Sequence, residues 1–227
     1  MTRFLLILLA AFSWALPGHV AFPDKPIRIV VAFAPGSSTD IVARLVGEQL
    51  SASLGQPVIV ENKPGAGGNI ATQAVMNAPA DGYTLLIASP SSISVNPALN
   101  PKLSHSAKDL VPVTRVTTSP LVVAVYPGAG INSFQELIAM ARAKPGFLNY
   151  TTSGNGSAPH LGAAHFSKVA GVELVHIPYK GGGPAIQAVV AGDAQLTFGT
   201  PPSVLPMVQA GRLKALVVTS PNRSALV

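Results

Sequence analysis

Two segments of this chain carry residue types that could hold an anion. One is Gly36-Ser37-Ser38-Thr39-Asp40, which follows the apolar run Ile27 to Phe33. The other is Thr152-Ser153-Gly154-Asn155-Gly156-Ser157, with His160 three residues on, which follows the run ending at Thr151. Each stands between a strand pattern and a helical pattern. A helix start presents N–H groups without intrahelical acceptors and a partial positive charge, and glycine lets the backbone close on a ligand. Ser and Thr hydroxyls add donors, and ordered waters fill the remaining space. Two such loops facing each other across a cleft would suit a carboxylate. The same residues also read as plain caps and turns, with Ser38 or Thr39 as an N-cap. The repetition of the construction in two α/β units favours a site.

Other chemistries find less support. Gly65-Ala66-Gly67-Gly68-Asn69 lacks the Lys-Ser/Thr of a P-loop and the glycine spacing of a dinucleotide fingerprint, so it reads as a tight turn before a helix. There is no G-x-S-x-G elbow, and Ser157 with His160 has no evident carboxylate to orient the imidazole. His160 and His165 are five residues apart and do not share a helix face as a metal pair would. An acidic residue at a helix start, such as Asp40, needs no catalytic explanation. The absence of cysteine excludes disulfides, thiolate metal sites and thiol catalysis. The expectation is therefore no catalytic residue, no metal and no cofactor.

The elements that position the two loops alternate in type. The run Ile27 to Phe33 is apolar almost throughout, as expected of a strand covered on both faces of a parallel sheet. A helix follows, in which Val42, Val46, Leu50 and Leu54 share one i+4 row. Strands at Val58 to Val60 and Tyr83 to Ala88 enclose a second helix. A Ser-, Pro- and Asn-rich loop (Ser89 to Pro101) leads to a second unit. There, strands are expected at Leu121 to Tyr126, Leu148 to Thr151, Glu173 to Ile177, Gln195 to Phe198 and Ala215 to Thr219. Helices start at Ser133, near Ala158-Pro159, where proline suits the first turn, and near Pro184. This succession calls for right-handed crossovers and doubly wound α/β sheets.

At 227 residues, with 48% hydrophobic and 11% charged residues, the chain is globular with one or two domains. The net charge of +6 comes from single, scattered basic residues, with few aromatics between them, which does not describe a nucleic-acid surface. At the N-terminus, Arg3 precedes the apolar run Phe4 to Leu16, followed by Pro17, Gly18 and Ala21. That is the layout of a secretory signal peptide over residues 1–21, too short for a spanning helix. Cleavage after Ala21 places His19 at an unfavourable position, and cleavage after Ala15 shortens the apolar core. The mature protein is expected outside the cytoplasm.

Taken in order, several stretches are more specific than these patterns. They are Phe22-Pro23-Asp24-Lys25-Pro26-Ile27-Arg28, Phe33-Ala34-Pro35-Gly36, Ser38-Thr39-Asp40 and Glu61 to Ile70. Further on come Ala80-Asp81-Gly82-Tyr83-Thr84-Leu85, Ser153 to Ser157, His160-Leu161, Pro178-Tyr179-Lys180-Gly181-Gly182 and Ala210 to Leu216. Through them the chain resembles the Bug family, the periplasmic solute-binding components of tripartite tricarboxylate transporters. The resemblance implies a type II periplasmic binding fold, two doubly wound α/β domains with a ligand cleft between them. It implies a monomer that closes on a small carboxylate and delivers it to membrane permease subunits. A ligand-responsive sensor module is the alternative. The implied ligand-binding positions are Gly36 to Asp40 and Thr152 to Ser157 with His160, and Ser89 and Lys180, Gly181 and Gly182 are implied neighbours. The implied domains are 22–115 with 215–227, and 116–214. Two departures stand out. Ser37 replaces a usual glycine, which narrows the site or adds a donor. Family members also continue past the position of Val227, so the expectation is a truncated, non-functional copy whose first sheet leaves an edge uncovered.

Overall fold

The computed structural model describes residues 22–100, 103 and 107–222; the expected signal peptide and residues 223–227 lie outside the described residues. The first unit is a three-stranded parallel sheet in the order β2-β1-β3, with β1 Ile27–Val31, β2 Val58–Asn62 and β3 Thr84–Ile87. Ile29 and Val31 of β1 pack against Ala43 and Leu50 of helix α1 (Ser38–Leu54). Val30, with Ala32 and Phe33, packs on the other face against Ala71 and Val75 of α2 (Asn69–Met76). Helices on both faces explain why β1 is apolar almost throughout instead of alternating.

The loop after β3 contains structure that its composition hides. Ser91–Val95 forms a single wide helical turn, which continues as α3 (Asn96–Leu99).

The second unit is a five-stranded sheet in the order β6-β5-β7-β4-β8. Its strands are β4 Val122–Val125, β5 Asn149–Thr152, β6 Val175–Pro178, β7 Leu196–Gly199 and β8 Lys214–Val218. β5 runs parallel to β6 and β7, whereas β4 is antiparallel to β7 and β8. Alternation along β4 splits the core in two. Val123 and Val125 join Leu137, Leu148, Tyr150 and Phe198 beneath α4 (Phe134–Ala143) and α5 (Ala158–Ala170). Val122 and Ala124 join Ile186, Val189 and Val204 beneath α6 (Gly182–Ala191) and α7 (Pro201–Gln209). Leu137 is wholly buried in the first of these layers. Leu137→Ala is expected to cost about 2–5 kcal/mol in a urea titration, because the close-packed site cannot collapse around the lost atoms.

Two features differ from the sequence reading. No element is expected between Phe198 and Ala215, yet α7 occupies most of that stretch. Its prolines mask it: Pro201 and Pro202 stand in the first turn, where no N–H is required, and only Pro206 removes an internal hydrogen bond. Second, residues from 215 onward are expected to rejoin the first domain. Instead β8 is the edge strand of the second sheet, paired antiparallel with β4 from Val122↔Val218 to Val125↔Lys214. The bond from Leu121 N–H to the Thr219 hydroxyl extends that pairing (2.9 Å).

Candidate functional site

The loops that matter all leave the carboxyl ends of parallel strands, where open α/β sheets place their ligands. In the first unit these are residues 32–37 after β1, 63–68 after β2 and 88–95 after β3. In the second they are 153–157 after β5, 179–181 after β6 and Thr200 after β7. The two sets meet directly. Ala34 N–H donates to Lys180 O at 3.0 Å. Ser38 Oγ hydrogen-bonds to Thr200 Oγ1 and lies 3.0 Å from Ser203 Oγ. A Cβ on Gly183 would stand 3.2 Å from Pro35 O, and one on Gly67 would stand 2.8 Å from Asn155 O.

The β1 loop is built around Asp40, which is 3% exposed. One carboxylate oxygen accepts from Gly36 N–H (2.9 Å) and Arg44 Nε (3.1 Å). The other accepts from Asn62 Nδ2 (2.9 Å) and meets Arg44 Nη2 (2.9 Å). Asn62 also donates to Phe33 O (3.0 Å), closing the loop against β2. Burial pushes the Asp40 carboxyl upward, but the bonds from Arg44, Gly36 and Asn62 and the Arg44 charge outweigh it and hold the group below the usual carboxylate range. Both oxygens of Asp40 are thus engaged, by the loop itself, by α1 and by β2. Asp40 holds the loop in shape and accounts for the Gly36 N–H.

Ser37, the departure from the family pattern, is the N-cap of α1, with its hydroxyl accepting from Asp40 N–H (3.4 Å) and lying 3.1 Å from Thr39 Oγ1. The sequence favours Ser38 or Thr39 for that role. The chain caps one residue earlier, which leaves Ser38 Oγ to reach across to Thr200 and Ser203. The N–H groups of Ser38 and Thr39, in the first turn of α1, have no helical acceptor.

The β5 loop has its own internal frame. Thr152 is 1% exposed, and its hydroxyl accepts from Gly154 N–H (3.2 Å) and lies 2.6 Å from His176 Nε2. Ser157 caps α5 by accepting from His160 N–H (3.3 Å), and Gly156 N–H donates to His160 Nδ1 (3.1 Å). Ser157→Ala is expected to lower stability by about 1 kcal/mol, read from the thermal midpoint. Ser153 is half-buried and Asn155 exposed. Ser89 bonds Ser91 through its hydroxyl and accepts from Ser92 at its carbonyl (3.2 Å). Of the Lys180–Gly182 segment, the Lys180 side chain is exposed, Gly181 is buried against Ala34, and Gly182 opens α6.

The two loops singled out by sequence therefore pair with other partners. The β1 loop faces the starts of α6 and α7, and the β5 loop faces Gly67 and Asn96. A Cβ on Gly156 would sit 2.4 Å from Asn96 Oδ1, while Asn96 Nδ2 donates to Gly67 O (3.0 Å). Gly67, Asn96, Thr200 and Ser203 are not picked out by the sequence reading. Proline-rich surroundings conceal Thr200 and Ser203, and Gly67 and Asn96 sit in stretches that read as a turn and a loop. An open groove of about 620 Å³ lies apart from these loops, between α1 and β2, with Arg44, Glu48 and Val58 on its walls.

Two α/β units that meet through strand-end loops have the layout of two-domain binding proteins. The tripartite tricarboxylate transporter family receptor, TctC, matches residues 42–227, and the chain belongs to that family of periplasmic solute-binding proteins. Protein BugT of Bordetella pertussis is 39% identical over 230 residues, 99% of this chain and 71% of BugT. MatC (Rpa3494) from Rhodopseudomonas palustris with bound malate superposes with a TM-score of 0.83 at 30% identity, covering 89% of this chain and 69% of that one. R. palustris Rpa4515 with adipate gives 0.78 at 32%, covering 89% and 68%. The chain thus spans roughly two thirds of the length of these relatives, and the fold is that of type II periplasmic binding proteins.

Proposed function

We propose that this chain is a periplasmic receptor that captures a small carboxylate by closing its two units on it and presents it to transporter subunits in the membrane. The observation that carries this is the convergence of three helix starts, those of α1, α6 and α7, around the hydroxyls of Ser38, Thr200 and Ser203. The first turns of α1 and α6 bring N–H groups without helical acceptors close to this point, those of Ser38, Thr39, Gly182 and Gly183. Such a cradle binds an anion through backbone donors and hydroxyls, with no fixed cation. Asp40 is already neutralised by Arg44, so it does not repel a carboxylate. The β5 loop, Thr152 to Ser157 with His160, would hold the far end of the ligand, with Ser89 and Lys180 at the rim. Malate on MatC and adipate on Rpa4515 support a dicarboxylate of four to six carbons.

In this reading residues 1–21 direct export and the chain acts as a monomer. The units correspond to residues 22–115 and 116–214, with β8 completing the second. The chain binds without transforming its ligand.

A thermal-shift series over mono-, di- and tricarboxylates and their amides tests the proposal. A ligand at 100 times its Kd should add about 2.7 kcal/mol of stability, or roughly 5–10 °C. The acids should give this shift and the amides should not. Equal shifts from acids and amides would remove the carboxylate from the reading.

A further inference from the structure

His176 lies outside every loop discussed as binding, yet it is the middle ring of a three-ring stack that reaches the β5 loop. Tyr150 stacks on one side of it, with ring centroids 5.0 Å apart and planes at 22°. His160 stacks on the other, at 4.2 Å and 12°. Parallel pairing of β5 with β6 places Tyr150 opposite His176, and α5 lays His160 over them. Each imidazole then grips one part of the loop. His176 Nε2 lies 2.6 Å from Thr152 Oγ1, which accepts from Gly154 N–H, and His160 Nδ1 accepts directly from Gly156 N–H.

We propose that His176 is a positioning residue that, through His160 and Thr152, holds the loop 152–157 in its binding shape only while both imidazoles are neutral, so that acidification loosens the ligand.

The bond from Gly156 fixes the tautomer of His160. His160 Nδ1 can accept from Gly156 only while it carries a lone pair, so the neutral ring has its proton on Nε2. Protonation at Nδ1 turns that nitrogen into a donor facing another donor, and the Gly156 bond is lost. The Thr152 hydroxyl proton has two acceptors, His176 Nε2 at 2.6 Å and Gly154 O at 3.4 Å. In the proposed switch the hydroxyl donates to the lone pair of a neutral His176 and turns to Gly154 O when the ring takes a proton. Two stacked imidazolium ions at 4.2 Å would also repel each other, so the pair does not charge twice without separating. The titratable groups packed against His176 are Tyr150 from β5 and His160 from α5, and neither supplies a negative charge at neutral pH to hold an imidazolium.

The electrostatics run the same way. Burial lowers the affinity of both rings for a proton, and for His176 burial and then the His160 charge bring it down to about 4. A histidine whose folded value lies below its unfolded one of 6.5 contributes stability in full above pH 6.5. That contribution is lost as the pH falls from there towards 4. The loop is therefore tight at neutral pH and loosens in acid.

The dependence on a bound ligand rests on the carboxylate reading above, but the response of the loop does not. The test is an NMR titration of the ligand-free protein from pH 8 to 4, following the two imidazoles and the amides of Gly154 and Gly156. Calorimetric titration with a straight-chain dicarboxylate at pH 7.5 and 4.0 accompanies it. In the native chain the two amides should move with the imidazoles, at a midpoint below 6.5. Affinity should fall at least about twofold between the two pH values, because half of His176 is charged at the lower one, beyond the loss that protonation of the ligand itself causes in every variant. His176→Phe keeps a stacked ring without the charge, and His176→Gln keeps a polar partner for Thr152. Both should reduce the pH dependence to the part that His160 and the ligand carry, while leaving the protein folded. Imidazoles that titrate at the ordinary value with silent glycine amides would overturn the proposal. So would a pH profile unchanged in both variants. Coupled amide and imidazole shifts with no dicarboxylate binding at either pH would uphold the loop response and sink the carboxylate reading instead.

Discussion

Asp40→Ala is expected to destabilise the first unit by about 2–4 kcal/mol and to abolish ligand binding, although both carboxylate oxygens are already engaged by Gly36, Arg44 and Asn62. The substitution strands Gly36 N–H, Asn62 Nδ2 and the Arg44 guanidinium together, and the carboxylate they share is nearly inaccessible to water. Water can reach the exposed Arg44 but not the inner side of the loop, so the loss comes mainly from the unpaired amides. Asp40→Asn keeps the shape and one acceptor oxygen, and should recover part of the stability. Urea titrations of the three proteins, with ligand-induced shifts in parallel, separate these cases. If Asp40→Ala bound ligand like the native chain, its place as the frame of the β1 loop would be wrong.

The same group sets an acid limit. Its folded value lies below the unfolded one of 3.8, so its contribution is present above about pH 4 and disappears as the pH falls through the folded value. Asp40→Asn should remove that part of the acid unfolding while leaving the histidine-dependent part, which begins at higher pH.

The second large effect is expected at Gly183. Its backbone is not in the left-handed region, and it stands inside the first turn of α6, where a side chain improves helix propensity by up to about 1 kcal/mol. Yet a Cβ there would come within 3.2 Å of Pro35 O and 3.4 Å of Gly36 O, across the seam between the units. Gly183→Leu should therefore leave the ligand-free thermal midpoint unchanged or higher. It should weaken the closed arrangement by about 1–3 kcal/mol, which is roughly a 5- to 150-fold loss of affinity. The chain has no cysteine, so spin labels at Gln49→Cys and Lys168→Cys, one exposed site on each unit, can report the separation directly. The distance distribution should shift to longer values in Gly183→Leu. An unchanged distribution with unchanged affinity would show that the seam does not depend on bare backbone at this position.

These effects show where the sequence was legible. The strand β1 could be read because its apolar run is covered by helices on both faces. The starts of α4 and α5 could be read because Ser133 caps the one and Pro159 suits the first turn of the other. Propensity and periodicity are local, and they located most elements to within a residue or two. What they could not supply is pairing. Nothing near Lys214–Val218 says that β8 borders β4. The partner of Asp40, Asn62, is 22 residues away, and those of Ser38 are 162 and 165 residues away. Ser37 looked like an intrusion into a ligand loop until its hydroxyl was found capping α1. His176 gave no signal at all, because its importance lies in a stack formed by three elements.

The central claim is that a carboxylate is held where the β1 and β5 loops and the starts of α6 and α7 converge. The most direct measurement is a set of backbone amide spectra of the ¹⁵N-labelled chain, recorded while a four- to six-carbon dicarboxylate is added at pH 7.5. The account predicts saturable shifts concentrated in residues 36–40, 152–157 and 180–183, with Thr200 and Ser203 among the most affected, and none from the matching diamide. Shifts confined to the groove beside Arg44, Glu48 and Val58, or equal shifts from acid and diamide, would contradict it.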